Sequence, residues 1–111
     1  MPEPKVVPSE CWEIPEANGL DRIHVFWMDV APRKGYVTII CYGQAWTAYF
    51  GGMGDLTIRE FFARCDTGYM VTKMGITPAL KQSKKNDAYL SRIIDAVRQS
   101  VRSVEAGCLS R

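Results

Sequence analysis

Three runs rich in β-branched and aromatic residues follow one another in the first half of the chain, with only short connections between them. They span residues 23–30, 36–42 and 45–50. Runs of this composition predict β-strands. Parallel strands need a long crossover connection, and these connections are too short for one, so the strands must be antiparallel neighbours. The sequence therefore predicts a three-stranded antiparallel meander.

The second half of the chain carries helical periodicity. A helix over residues 58–65 is predicted by an apolar stripe with i, i+3, i+4, i+7 spacing, and Thr57 with Glu60 forms a capping-box pattern before it. A second short helix is predicted over Tyr69, Met70 and Met74, with Asp66 and Thr67 as candidate caps and Gly75 as its stop. A long helix is predicted over about 87–104. The long helix has an apolar stripe formed by Leu90, Ile93, Ile94, Val97, Val101 and Val104. Because strands and helices are segregated, we expect an α+β fold with the long helix packed on the sheet.

The chain has 111 residues, the size of one domain. Residues 1–20 are rich in proline and glutamate and predict an extended N-terminal arm, which Trp12 would pin to the domain. Residues 21–106 form the predicted single domain, and residues 107–111 a C-terminal tail.

Composition excludes several classes of protein. Hydrophobic residues make up 47% of the chain, which is too many for a disordered chain, and a net charge of +2 is too small for a protein that coats DNA. The four cysteines are too widely spaced for a zinc signature. We expect Cys41 and Cys65 to be buried free thiols and Cys11 and Cys108 to react faster. No metal, disulfide or cofactor is expected, and without a signal or membrane segment the expected compartment is the cytoplasm.

No catalytic constellation is visible, so no enzymatic activity is expected. His24 is the only histidine, and it has no nearby nucleophile or orienting partner in the sequence beyond Asp21 and Asp29. The glycine run at residues 51–54 could hold an anion in a backbone nest, but a tight turn from strand to helix explains it as well. If the run is a contact surface, Gly52 would let a partner approach closely.

Two further features suggest binding. Seven aromatic residues lie on the predicted strands, and the candidates for exposed apolar contacts are Trp46 and, in the adjacent glycine run, Met53. Core packing, a protein-binding face and a stacking platform for single-stranded nucleic acid all remain open for the aromatic set. The lysine-rich loop with Lys81, Lys84 and Lys85 could touch nucleic acid or an acidic protein, although a solvated loop also accounts for it.

The central stretch of the chain resembles a family of small proteins of tailed phages and prophages. The pattern is C-Y-G-x-x-W from Cys41 to Trp46, then an aromatic residue and the glycine run G-G-M-G, then a helix with the paired phenylalanines Phe61 and Phe62. The resemblance covers residues 21–102. It implies an accessory protein that acts inside an infected or lysogenic bacterium, and it implies no activity, cofactor or catalytic residue.

These observations predict a non-enzymatic phage accessory protein that binds a host macromolecule. By analogy with other small phage proteins, it would inhibit or redirect a host or defence machine. The alternative is a nucleic-acid-associated factor that uses the lysine-rich loop and an aromatic sheet face. The expected partner is a host protein, with nucleic acid as the second choice and no membrane. The chain could also form a homo-oligomer.

Overall fold

A computed structural model describes residues 2–15, 19–74 and 84–105 of the chain, with side chains from residue 88 onward in the last segment. Four strands come first and three helices follow. The strands are β1 (Glu10–Ile14), β2 (Ile23–Ala31), β3 (Lys34–Cys41) and β4 (Gln44–Phe50), and the helices are α1 (Ile58–Arg64), α2 (Thr67–Met74) and α3 (Lys84–Glu105). The strands form one antiparallel sheet in the order β1-β2-β3-β4.

The prediction of three strands is wrong, because β1 adds a fourth within the stretch predicted to be an extended arm. Its five residues alternate between the two faces of the sheet, with Trp12 and Ile14 turned toward the helices and Cys11 and Glu13 exposed. Two glutamates in five residues give a weak local strand propensity. The strand conformation of β1 is stabilised by pairing with β2, in which Trp12 lies opposite Val25, and not by local propensity.

The connection from β3 to β4 is a two-residue turn of Tyr42 and Gly43, one residue earlier than the predicted turn at residues 43–44. Both residues have positive φ, 54° for Tyr42 and 75° for Gly43. This is the pattern of a type I′ turn, whose twist matches that of antiparallel strands. It fixes Cys41 opposite Gln44 and with them the register of the hairpin.

The turn from β2 to β3 differs from its prediction. The residue with positive φ is Arg33, at 68°, and it follows Pro32 as in a type II turn. Gly35 does not supply the positive φ of this turn and is buried inside β3. A Cβ atom on Gly35 would lie 2.9 Å from Ile58 Cβ and 3.0 Å from the Met28 carbonyl oxygen. Glycine is therefore required here because the start of α1 packs directly on the strand.

The helices agree closely with their predictions. Thr57 caps α1 in a capping box, in which its hydroxyl accepts from the Glu60 amide and the Glu60 carboxylate accepts from the Thr57 amide. The hydrogen bonds that the Thr57 amide and hydroxyl donate to the Glu60 carboxylate lower the pKa of Glu60. Asp66 caps α2 by accepting from the Tyr69 amide. α3 begins three residues before its predicted start.

One core joins the sheet to all three helices. Leu90, Ile94, Val97 and Val101, the stripe expected to be buried, are at most 2% exposed. α3 packs against α1 and α2, and the Tyr89 ring, at its N-terminal end, lies 6.0 Å from the ring of Trp46 on β4. The helices thus cover one face of the sheet.

Candidate functional site

The opposite face of the sheet is the main candidate for a functional surface. Strand registers align its side chains in rows across the four strands, and none of them belongs to the buried core. We call this surface the open face and define it by Cys11, Glu13, His24, Phe26, Met28, Tyr36, Thr38, Ile40, Ala45, Thr47 and Tyr49. Each strand contributes every second residue to this face, because side chains at i and i+2 point to the same side of a sheet.

Three aromatic side chains dominate the open face. Phe26, Tyr36 and Tyr49 are 39%, 41% and 48% exposed. Tyr36 and Tyr49 lie opposite each other on β3 and β4, and their ring centroids are 4.8 Å apart. Met28 lies opposite Tyr36 on the other side and extends this row onto β2. The result is an apolar surface held on rigid strands.

The polar side chains of the open face are paired with one another. At one end, Glu13 Oε1 lies 3.3 Å from His24 Nε2 and 3.3 Å from Arg22 Nη1. Arg22 lies at the margin of the face. In the middle, the hydroxyls of Thr38 and Thr47 are 2.9 Å apart. These pairs are exposed, so each contributes little to stability. They leave the face close to neutral.

The partner of His24 was missed by the sequence interpretation. Glu13 belongs to β1, and neither Asp21 nor Asp29 forms the pair. The Asp29 carboxylate instead accepts a hydrogen bond of 2.8 Å from the Ile58 amide and so holds the start of α1. The available signal was the short apolar–polar–apolar alternation of Trp12, Glu13 and Ile14.

A second candidate site is a cleft where β1 and β2 meet α1. It has a volume of about 450 Å³ and is lined by Glu10, Trp27, Asp29, Thr57, Arg59 and the preceding Pro8 and Ser9. Arg59 Nη1 donates to Glu10 Oε1 at 3.1 Å, and its guanidinium lies 5.4 Å from the ring of Trp12. The carboxylates of the cleft are therefore committed to holding β1, β2 and α1 together.

Trp46 and Met53 are not exposed, and the expectation that they would be is wrong. Each is 3% exposed and belongs to the core. Trp46 projects to the helix side of β4, where it meets Tyr89, and Met53 packs near Gly35 under the start of α1. Apolar residues occupy both faces of β4, so the sequence pattern does not distinguish the side that carries the core.

The glycine run behaves as a turn. Gly54 has φ of +64°, and the Met53 amide donates to the Arg33 carbonyl at 3.0 Å. Gly52 is exposed with no heavy atom near the place of a Cβ. Lys81 lies outside the described residues. Lys84 and Lys85 lie in the first turn of α3, and their side chains are outside the described part.

The described thiols differ in exposure, and Cys65 is less buried than predicted. Cys11 is exposed, Cys65 is half-buried and Cys41 is buried. Burial raises the pKa of both Cys41 and Cys65. Burial, together with a hydrogen bond to the Cys41 sulfur, also raises the pKa of Tyr89. These groups are therefore uncharged at neutral pH, and Cys108 lies outside the described residues.

The fold and the open face define a small α+β protein with helices on one side of an antiparallel sheet and an aromatic surface on the other. A family model described as a phage family matches residues 5–102. The chain belongs to that phage family, which agrees with the phage context implied by the central motif. No curated protein and no solved structure matches the chain.

Two absences hold for the described residues only. None of their helices combines the length and the apolar character needed to cross a membrane. Residues 2–15, 19–74 and 88–105 contain no group of three or more His, Cys, Asp or Glu side chains arranged to hold a metal ion.

Proposed function

We propose that this phage protein is a non-enzymatic accessory protein that binds a host protein through the open face. It would act in the cytoplasm of the bacterial host and inhibit or redirect the machine to which its partner belongs. The observation that supports this proposal is the exposed aromatic cluster of Phe26, Tyr36 and Tyr49.

Exposed aromatic side chains on a rigid surface are well suited to protein recognition. Tyrosine and phenylalanine bury large areas at little cost in side-chain entropy, and tyrosine is enriched among the residues that dominate binding energy. The neighbouring pairs Glu13–His24 and Thr38–Thr47 provide the polar surroundings typical of such a patch. A clustered apolar patch with a polar border is the usual appearance of an interaction site.

The charge of the open face favours a protein partner over nucleic acid. Its defining residues include one glutamate, Glu13, which is paired with Arg22 at the margin, and Lys34 at the start of β3 is the only lysine or arginine within the four strands. Proteins that stack bases on a sheet also need basic side chains along the phosphate backbone. Lys34, exposed on β3 two residues before Tyr36, is a single cation beside the aromatic cluster, which is too few to follow a phosphate backbone.

The contacts of the reactive side chains support a non-enzymatic role. His24 is held by Glu13, the Cys41 thiol contacts the Asp21 carbonyl, and Asp29 caps α1. Each is engaged in a structural contact, and they lie on different parts of the fold. Catalysis by a nucleophile needs a base and an orienting group at one place.

Affinity capture from lysate of the phage's bacterial host tests the proposal. We expect the immobilised protein to retain a host protein after nuclease treatment, and the retained amount to change little as salt is raised. Binding to an apolar surface depends weakly on salt, whereas binding to phosphates falls steeply. Loss of the captured protein on nuclease treatment would instead support the nucleic-acid alternative and contradict the proposal.

A further inference from the structure

The outer edge of β4 carries a row of backbone hydrogen-bonding groups that no described strand uses. β4 is the last strand of the sheet. In a hairpin with a two-residue turn, the residues next to the turn form a hydrogen-bonded pair, and non-hydrogen-bonded pairs alternate with hydrogen-bonded ones. Cys41 and Gln44 are that first pair, so Thr38 and Thr47 form a non-hydrogen-bonded pair. The N–H and C=O groups of Ala45, Thr47 and Tyr49 therefore point away from β3.

The two edges of the sheet differ in their protection against strand pairing. β1 is five residues long, carries Glu10 and Glu13 and is flanked by Pro8 and Pro15. Charges, prolines and short length are the usual means of preventing edge-to-edge association. β4 has seven residues, with no charged residue and no proline. Antiparallel pairing with another uncharged strand would bring no like charges together.

The sequence of β4 is complementary to itself about Thr47. In an antiparallel pair centred there, Thr47 would face its own copy, Ala45 would face Tyr49, and Trp46 would face Ala48. Each large side chain would then lie beside a small one on its own face of the sheet. The Thr38–Thr47 hydroxyl pair would continue as a row of four threonines, and cross-strand threonine pairs are favourable.

We propose that two copies of this chain associate through β4, forming a continuous eight-stranded antiparallel sheet around a two-fold axis at Thr47. Because that axis is perpendicular to the sheet, both open faces would lie on the same side and double the aromatic surface. This proposal does not depend on which molecule the open face binds. A contact along one seven-residue strand is small beside the roughly 1,600 Å² of a standard interface, so we expect a reversible dimer.

Sedimentation velocity over a ~100-fold range of concentration tests the proposal. We expect a monomer at the lowest concentration and a dimer at the highest. The Thr47→Lys variant should weaken the dimer by at least about tenfold, because two lysines would face each other at the axis. Thr38→Lys is the matched control. It adds the same charge to the same face one strand further in, and it should change the dissociation constant much less.

Hydrogen exchange of the unmodified protein gives a second readout that does not depend on variants folding. At high concentration, the amides of Ala45, Thr47 and Tyr49 should gain protection, whereas those of Trp46 and Ala48, which point toward β3, should be protected at all concentrations. A monomer throughout the range, or a dimer that protects none of the three outward amides, would overturn the proposal. Equal weakening by Thr38→Lys and Thr47→Lys would overturn it too, because the face rather than the edge would then form the contact.

Discussion

Replacing Phe62 with alanine is expected to remove about 3–5 kcal/mol from the free energy of unfolding. Phe62 is fully buried on α1, and its ring lies 5.4 Å from that of Trp27 in an edge-to-face arrangement. Its removal would leave a cavity between the helix and the sheet. Since domains of this size are stable by about 5–15 kcal/mol, the variant should lose a large part of its stability. Thermal unfolding followed by circular dichroism should show a midpoint lower by roughly 15–25 °C.

The adjacent phenylalanine provides the matched control. Phe61 lies on the same helix but is only partly buried, with its ring 5.0 Å from that of Phe50. We expect Phe61→Ala to cost about half as much as Phe62→Ala, because a partly exposed ring leaves a smaller cavity. An equal or greater loss in Phe61→Ala would show that α1 packs on the sheet through a different side.

Replacing Gly35 with alanine is expected to cost about 2–3 kcal/mol, even though alanine adds a single methyl group. The new Cβ would meet Ile58 Cβ at 2.9 Å, the Met28 carbonyl oxygen at 3.0 Å and Met53 Cε at 3.2 Å. The methionine side chain can move, but the other two atoms are fixed by the sheet and by the start of α1. The clash should therefore force α1 away from β3.

Urea unfolding of Gly35→Ala should show a midpoint lowered by roughly 1–2 M. Gly52→Ala is the control, because nothing lies within 4 Å of its added Cβ and its φ is not positive. We expect that variant to stay within about 0.5 kcal/mol of the parent protein. Equal stability of Gly35→Ala and the parent would mean that α1 does not approach β3 this closely.

Much of the fold followed from the sequence because its signals are local. Short connections required antiparallel strands, the capping box of Thr57 and Glu60 marked the start of α1, and the stripe from Leu90 to Val101 marked the buried side of α3. β1 was missed because its order comes from pairing with β2, a contact distant in sequence. The sequence also does not show that position 35 requires glycine, because that requirement depends on contact with Ile58, which is distant in sequence.

The candidate site was less predictable than the fold. The aromatic residues of the strands were identified, but each strand is apolar on both sides, so periodicity does not show which aromatic residues enter the core. The helices decide this by covering one face. They bury Trp27, Trp46 and Phe50 and leave Phe26, Tyr36 and Tyr49 exposed. The predicted exposed contact at Trp46 therefore lies on the core side of the sheet, and Met53, beyond the end of β4, is buried as well.

The most direct test of the open face compares tyrosines of similar exposure on the two sides of the sheet. Tyr36 and Tyr49 lie on the open face, and Tyr69 on α2 is 42% exposed. With the host protein recovered by capture, isothermal titration calorimetry should show binding at least about 30-fold weaker for Tyr36→Ser/Tyr49→Ser, because truncation of a central aromatic contact costs about 2 kcal/mol or more. Tyr69→Ser should bind like the parent protein. Unchanged binding by a folded double variant, or loss of binding by Tyr69→Ser, would contradict the assignment of the open face as the binding surface.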